Sequence, residues 1–132
     1  MRRRDQRRAA VFAVYQSDVT GAPVESHFER DATGFTVALA NAVSSRTADL
    51  DAIIDRHANG WSVDRISPLD KAILRVAILE ITEPDAAGAG TPIPAEGAVD
   101  EAVETAKTFC GTDAPGFING ILGAVLTEAK AK

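Results

Sequence analysis

Apolar residues recur every three or four positions along most of this chain, which is the repeat of an amphipathic α-helix rather than of a strand. The first such segment spans about 5–19, and its buried part is expected to begin at Val11 and Phe12. Gly21 and Pro23 should end it, because glycine favours the left-handed conformation after a helix and proline cannot continue the hydrogen-bond ladder.

Two further helices are predicted before residue 60. Thr33 can cap the first of them, whose apolar stripe starts at Phe35. After the polar stretch SSRTAD, apolar positions at helical spacing continue to His57, and the Asn-Gly pair at 59–60 ends this second helix. A short helical turn around 26–30 is expected to precede both.

The segment ISPLDKAILRVAILEI carries the clearest helix start in the chain. Ser67 is placed as the N-cap, and Asp70 stands where the acid of a capping box belongs. Lys71, Arg75 and Thr82 fall in one narrow polar stripe, and nearly every other position is apolar. A helix that is apolar over most of its circumference is expected at the centre of the fold.

Glu80 is the exception within this central helix, because it lies on the apolar side, about opposite Lys71. A carboxylate without a partner is costly in such surroundings. Two partners are considered for it, an arginine of the same chain or a second protein that docks on this face.

The last third of the chain predicts two helices after a loop. The loop is PDAAGAGTPIP, 84–94, which is rich in Gly, Pro and Ala. Helical periodicity resumes over 96–109, with Cys110 expected as a small core residue rather than a nucleophile. In the final segment, FINGILGAVLTEA, the core stripe is formed by Ile118, Ile121, Leu122 and Val125.

Three glycines share the opposite side of this last helix, Gly116, Gly120 and Gly123. Each weakens a helix by about 1 kcal/mol relative to alanine, so a close approach on this face would explain them. Either another helix of the same fold packs tightly there, or a second chain or a ligand does.

Composition supports a single all-α domain. The 132 residues suffice for one core, and an apolar share of 45% with few aromatics favours packed helices. Cys110 is the only cysteine, so no disulfide can form within the chain, which fits a reducing, cytoplasmic location. Neither a membrane-length apolar run nor a nucleotide, zinc or catalytic motif is present, so no membrane span, metal, cofactor or enzymatic activity is expected.

Positive charge is concentrated at the start of the chain, MRRRDQRRAA, in a protein whose formal charge is −5. Arginine matches phosphate oxygens and stacks on bases, so such a cluster favours nucleic acid over a small acid. Single-stranded RNA is the better candidate, because no motif for reading a double helix is present. The alternative is a frayed basic end that only aids solubility.

Three segments together resemble the NusB family of bacterial transcription antitermination factors. They are RRRDQRRAAVFAVYQSD, WSVDRISPLDKAILRVAILEI and AVDEAVETAKTFCGTDAPGFINGILGAVL, and they cover essentially the whole chain. The resemblance implies an all-helical fold of about seven helices. It also implies one RNA-binding domain over 1–132, with packed subbundles at about 1–60 and 61–132.

The function that the resemblance implies is that of an adaptor without catalysis or cofactor. Members of the family bind the boxA element of ribosomal RNA operons together with NusE, a small-subunit ribosomal protein. They join other Nus factors on RNA polymerase and keep transcription from terminating early. Some members self-associate, so a homodimer is a further expectation.

Matched position by position, the resemblance assigns two sets of residues. The RNA-binding set is Arg3, Arg4 and Arg7, with Arg2 and Arg8 as local extensions, together with Lys107, Asp113 and Phe117. The partner-binding set is Tyr15 and Glu80. Two departures stand out, since Asp5 places an acid within the arginine run, and Ala114-Pro115 replaces the usual capping serine and leaves Asp113 to cap the last helix.

Two other functions are considered beside this one. The same fold precedes the catalytic part of a ribosomal RNA cytosine methyltransferase, so one alternative is an RNA-binding module associated with such an enzyme. The other is a self-associating scaffold in which the glycine face of the last helix packs against a second copy.

Overall fold

The chain is all-helical, as its periodicity predicts, in a computed structural model that describes residues 2–88 and 92–131. Within these ranges there is no strand, and the α-helices are α1 (Arg3–Thr20), α2 (Gly34–Ser44), α3 (Thr47–His57), α4 (Pro68–Thr82), α5 (Ala95–Phe109) and α6 (Ala114–Lys130). The prediction of about seven helices is close. The short helix expected around 26–30 is a 3₁₀ turn at Val24–His27, and a second such turn spans Val63–Arg65.

Helix α1 ends as predicted but is buried from an earlier point. Gly21 adopts a φ of 76°, and its N–H donates to the carbonyl of Ser17, so the chain leaves the helix in the left-handed conformation. Burial begins at Arg7 rather than at Val11, because Arg7 lies one turn earlier on the same face and its charge is paired inside the protein. Phe12, expected in the buried part, is only partly buried.

Two of the predicted N-caps, Thr33 and Ser67, differ in outcome. The N–H of Thr36 donates to Oγ1 of Thr33 at 3.3 Å, which confirms the cap of α2. Ser67 occupies the N-cap position of α4, but its side chain makes no capping hydrogen bond. The predicted capping box is therefore not formed.

Helix α4 lies at the centre of the fold. Every residue over 72–81 is buried, and α4 packs against each of the other five helices. The buried apolar side chains form one core that includes residues from both sides of position 60. The central position of α4 is confirmed, while the division of the domain into two subbundles stays a prediction.

The two cations of the polar stripe of α4 lie mostly inside the protein, whereas Thr82 is exposed. Nε of Arg75 donates to Oδ1 of Asp51 on α3 at 2.7 Å, and Nζ of Lys71 lies 3.4 Å from Asp18 on α1. Asp18 also lies 3.6 Å from the guanidinium of Arg75, so one cluster of charges ties α1, α3 and α4 together. This pairing explains how α4 carries two cations at the centre of the protein.

Helix α6 buries its predicted core stripe and leaves its glycines open. The buried residues include Ile118, Ile121, Leu122 and Val125. A Cβ atom built at Gly116, Gly120 or Gly123 would meet no atom of the described residues within 4 Å. Tight packing of the glycine face within the fold is therefore wrong, and the face is open to a second chain or to solvent.

The loop predicted between α4 and α5 follows Thr82 and ends at Pro94, and its positions 89–91 lie outside the described residues. Across the ranges that the structure covers, none of the helices combines the length and the apolar character needed to cross a membrane.

Candidate nucleic-acid interface

Two arginines of the opening run pair with acids on other helices. Arg7 donates from Nε to both carboxylate oxygens of Glu80 on α4, at 2.9 Å each, and both residues are only 8% exposed. Arg4 donates from Nε and Nη2 to the two carboxylate oxygens of Glu101 on α5, at 3.2 and 3.3 Å. These pairs hold the start of α1 against α4 and α5.

The pair of Arg7 and Glu80 decides between the two partners considered for Glu80. Burial raises the pKa of Glu80, and the positive charge of Arg7 opposes that rise. The carboxylate has its cation within the chain, which confirms the first alternative. Arg7, which the resemblance assigns to RNA binding, thus has a guanidinium that is buried and engaged by Glu80, and its contact with RNA stays a prediction.

Arg3 and Arg8 differ from these paired arginines because neither has an acidic partner within the described residues; like Arg7, whose guanidinium carbon is 5.3 Å from the ring centroid of Phe35, each lies over an aromatic ring. The guanidinium carbon of Arg3 is 4.0 Å from the ring centroid of Phe35, and that of Arg8 is 5.5 Å from the ring centroid of Phe109. Nε of Arg8 is buried without a hydrogen-bond partner among the described residues. Such cation–π contacts order the side chain but leave its positive charge unneutralised.

The other predicted cations are exposed and weakly paired. Nε of Arg2 lies 3.3 Å from Asp5, the acid within the arginine run, and Nζ of Lys107 lies 3.3 Å from Glu104 on the same helix. Exposed pairs of this kind are worth about 0–1 kcal/mol. Arg2 and Lys107 therefore stay accessible to another anion.

Most Lys and Arg side chains in the described part of the chain pair with an acid, and four do not. Over 2–88 and 92–131, the Lys and Arg side chains without an acidic partner are Arg3, Arg8, Arg30 and Arg65. Sequence reasoning singled out the first two of these. It missed Arg65, which stands in the 3₁₀ turn before α4, far along the chain from the arginine run.

A groove of about 540 Å³ runs beside α1, and we call it the α1 groove. Arg8 lines it together with Phe12, Phe28 and Phe109, and the rings of Phe12 and Phe109 meet edge to face with their centroids 5.0 Å apart. Phe109 is 45% exposed and is a residue that sequence reasoning missed. In the sequence, a large aromatic residue outside the apolar face of α5 could have indicated that Phe109 is exposed for binding.

A second concavity, of about 310 Å³, brings the predicted residues Asp113 and Phe117 together with Trp61 and Arg65. We call it the Trp61 cleft, and its lining is Trp61, Arg65, Ile66, Ser67, Asp70, Asp113, Ala114 and Phe117. Asp113 precedes α6, but its backbone is helical rather than extended and its side chain makes no capping hydrogen bond. Its predicted role as a helix cap is therefore wrong, and its carboxylate is free to meet a ligand.

The α1 groove and the Trp61 cleft are connected by the turn between α5 and α6. Phe109 is the last residue of α5 and lines the groove, whereas Asp113 directly precedes α6 and lines the cleft. Residues 110–113 alone separate them along the chain. Cations and aromatic rings from α1, α5, α6 and the turn before α4 thus lie near the turn at 110–113.

The two residues predicted to bind a protein partner expose little surface. Tyr15 is partly buried and packs against the core, and Glu80 is engaged by Arg7. Beside Glu80 lies a cavity of about 190 Å³ whose lining also includes Glu83 and Asp85. Arg7 pairs with Glu80, and Nε of Arg46 lies 3.2 Å from Glu83, so Asp85 is the acid there without a cation among the described residues. This acidic cavity therefore suits a basic side chain from another molecule at Asp85.

Cys110 does not have the character of a nucleophile. Burial, with a hydrogen bond to Asp70 and the negative charge of that carboxylate, raises the pKa of the thiol to about 12. Within the ranges described, no group of three or more His, Cys, Asp or Glu side chains is arranged to hold a metal ion. The arrangement therefore offers binding groups, namely cations, aromatic rings and a free carboxylate.

Comparison with known proteins gives consistent matches along the whole chain. Residues 4–127 match the model of the NusB family. Transcription antitermination protein NusB of Rubrobacter xylanophilus is 38% identical over 92% of this chain and 88% of that protein. Transcription antitermination protein NusB of Halalkalibacterium halodurans is 37% identical over 100% of this chain and 98% of that protein.

Solved structures share the fold. A structure of T. maritima NusB has a TM-score of 0.84 at 26% identity, and the match covers 97% of this chain and 92% of that one. A crystal structure of antitermination factors NusB and NusE in complex with dsRNA contains a chain with a TM-score of 0.79 at 20% identity, with 96% of both chains covered. At that identity the second match speaks for the fold alone.

Proposed function

Because this chain belongs to the NusB family, we propose that it is an RNA-binding transcription antitermination factor rather than an enzyme. The relatives from R. xylanophilus and H. halodurans bear the antitermination name over nearly their full length. The observation that carries the RNA-binding part is that Arg3 and Arg8 lie on aromatic rings without an acidic partner. Their charge and N–H donors are thus available to phosphate oxygens.

The proposed ligand is single-stranded RNA that contains the boxA element of ribosomal RNA operons. On a chain with a net charge of −5, a polyanion is repelled except where cations lack acidic partners. Arg3 and Arg8, with the exposed Arg2 and Lys107, would bind phosphates. Phe117 and Asp113 would meet unpaired bases, which offer an aromatic face and hydrogen-bonding edges. Acting on nascent RNA would place the protein in the bacterial cytoplasm.

Arg4 and Arg7 have a positioning role in this proposal. Their guanidinium groups are engaged by Glu101 and Glu80, which fixes the start of α1 on α5 and α4. The helix then presents Arg3 and Arg8 from a rigid scaffold, so less side-chain entropy is lost when RNA binds.

The proposed protein partner is NusE, docked at the acidic cavity beside Glu80. One structural neighbour is a NusB that was crystallised with NusE and dsRNA. In this chain, Asp85 lines the cavity without a cation among the described residues and attracts a Lys or Arg side chain, while Glu83 is already paired with Arg46. Tyr15 is proposed as a further contact. With NusE bound, the protein would join other Nus factors and RNA polymerase.

Self-association is a second candidate, favoured by the open glycine face of α6. Nothing in the described residues fills the space over Gly116, Gly120 and Gly123, which lets the backbone of a second copy approach closely. Light scattering with and without RNA tests it, since a homodimer that covers the RNA-binding surface would dissociate as RNA is added. A monomer under both conditions would contradict it.

RNA binding by the protein mixed with NusE tests the main proposal. Binding to boxA RNA and to a scrambled RNA of the same composition is compared at several salt concentrations. We expect tighter binding to boxA and an affinity that falls linearly with salt on logarithmic axes. Equal binding to the two RNAs would contradict the proposal.

A variant of the acidic cavity tests the partner. Asp85 is exposed, so Asp85→Lys should leave the fold intact and weaken the binding of NusE without RNA. Asp100→Lys is the matched control, because Asp100 is an exposed acid on α5 outside the cavity. An equal effect of the two variants would mean that only the net charge matters.

A further inference from the structure

Trp61 is a large apolar side chain held at the surface, 55% exposed. The backbone just before it is in the left-handed region, with φ of 47° at Asn59 and 93° at Gly60. The N–H of Trp61 donates to the carbonyl of Ala58 at 3.1 Å, which closes this turn. Asn and Gly both adopt the left-handed conformation readily, so this turn after α3 holds Trp61 at the surface, where its indole is available to a ligand.

Two of the charged groups around Trp61 have no side-chain partner within the described residues. Arg65 has no acidic partner, and the carboxylate of Asp113 caps no helix. Asp70 also lines the cleft and lies close enough to the thiol of Cys110 to affect its pKa. The Trp61 cleft therefore offers two aromatic side chains, one free cation and one free carboxylate.

We propose that the Trp61 cleft binds one unpaired guanine base of the RNA, with Trp61 as the stacking surface. This inference rests on the proposed function and extends it to the residues that read a base. A planar heterocycle matches a cleft whose apolar wall is formed by the rings of Trp61 and Phe117, and about 310 Å³ is within the usual size of a small-ligand site. The resemblance to the family assigns no role to Trp61 or Arg65, and their roles are inferred here from their positions in the cleft.

The charged groups of the cleft select the base. The carboxylate of Asp113 has two acceptor oxygens and no donor, and guanine presents two adjacent N–H donors on its pairing edge, whereas uracil presents only one. Arg65 then binds the phosphate beside that base. A base without two adjacent N–H donors would leave one carboxylate oxygen of Asp113 without a hydrogen bond from the base. This loss of a hydrogen bond is the source of the specificity.

The experiment combines an RNA series with protein variants. In boxA RNA, each guanosine in turn is replaced by an abasic residue, and binding to the protein with NusE is measured by fluorescence anisotropy. At one position the abasic residue and Trp61→Ala should each weaken binding about tenfold, the order expected for one stacked base, and together they should weaken it no further. Trp61→Phe should restore most of the affinity.

Inosine tests the role of the carboxylate, because it lacks the 2-amino group of guanosine. At the same position inosine should weaken binding to the wild type and leave binding to Asp113→Ala unchanged. Arg65→Ala should reduce the slope of log affinity against log salt by about one. Arg30→Ala, which also removes a cation without an acidic partner but lies outside the cleft, is the control and should leave this slope unchanged.

Three outcomes would overturn the inference, and they differ from failure of the proposed function. Equal binding of wild type and Trp61→Ala to every RNA, with boxA still preferred, would remove the cleft from recognition while RNA binding stands. Weaker binding of NusE by Trp61→Ala in the absence of RNA would make the cleft a protein-binding site. Loss of affinity that is the same at all positions would assign Trp61 a general rather than a base-reading role. No preference for boxA in the wild type would instead reject the proposed function, and this inference with it.

Discussion

The guanidinium of Arg7 and the carboxylate of Glu80 meet at 2.9 Å inside the protein, although the two residues are 73 positions apart. The contact ties α1 to α4 and removes one arginine of the opening run from the surface. A second arginine, Arg4, is held by Glu101 in the same way. The arginine run therefore contains two kinds of residue, those that join helices and those that remain available to a ligand.

Arg7→Ala should destabilise the protein by about 3 kcal/mol, because it leaves the buried carboxylate of Glu80 without a cation. The double variant Arg7→Ala with Glu80→Leu should recover part of this loss, since no charge then remains buried. Chemical denaturation of the three proteins measures both effects. A double variant that is less stable than Arg7→Ala would show that Glu80 contributes by other contacts.

The loss of stability in Arg7→Ala should depend on pH. Burial raises the pKa of Glu80 above its ordinary value of 4.5, so the folded protein holds this proton more tightly than the unfolded chain does. The contribution of Glu80 to stability is thus most favourable at low pH and is lost as the pH rises through 4.5 toward the raised value. Without Arg7 the pKa of Glu80 is raised further, because no positive charge opposes the effect of burial. The difference in Tm between wild type and Arg7→Ala should therefore shrink when the pH falls from 7 to 4. A constant difference would assign the loss to packing instead.

RNA binding should separate Arg3 and Arg8 from Arg4. Arg3→Ala and Arg8→Ala should each weaken binding to boxA and to scrambled RNA alike, and reduce the slope of log affinity against log salt by about one. Arg4→Ala should change the slope less, because Glu101 already engages that guanidinium. Filter binding over a series of salt concentrations measures the slopes. The same slope change for all three variants would mean that RNA displaces Glu101 from Arg4.

The helices could be predicted from the sequence because their signals are local. Thr33 caps α2, and Gly21 ends α1 through bonds within a few residues. The central place of α4 followed from its apolar circumference, and the need of Glu80 for a partner followed from its position on the wrong side of that helix.

The composition of the site could not be predicted, since it depends on contacts between distant residues. Arg4 and Glu101 are 97 positions apart, and Trp61 and Phe117 share a cleft only after α4 and α6 have packed. Spacing along a helix shows which residues share a face. It does not show what lies opposite, which is why the free and the paired arginines looked alike in the sequence.

Cys110 should react slowly with thiol reagents in the folded protein. Burial and the neighbouring Asp70 raise the pKa of its thiol to about 12, so almost none of it is thiolate at pH 8. Asp70→Asn removes the negative charge that disfavours the thiolate, and labelling by iodoacetamide should become several times faster. Asp113→Asn is the control, because Asp113 lines the same cleft but does not contribute to that pKa. Equal rates in both variants would assign the slow reaction to burial alone.

Alanine in place of the α6 glycines should stabilise the protein. A Cβ atom at Gly120 or Gly123 would meet nothing within 4 Å, and alanine in a helix interior is favoured over glycine by about 0.5–1 kcal/mol. Gly97→Ala is the matched control on α5, because there the new Cβ would lie 3.1 Å from Ile93 and the gain should be lost. Thermal denaturation gives the differences. If Gly120→Ala is more stable but binds NusE or a second copy more weakly, the glycines allow a partner to approach closely. If it is more stable and binds equally well, the open face has no partner in this complex.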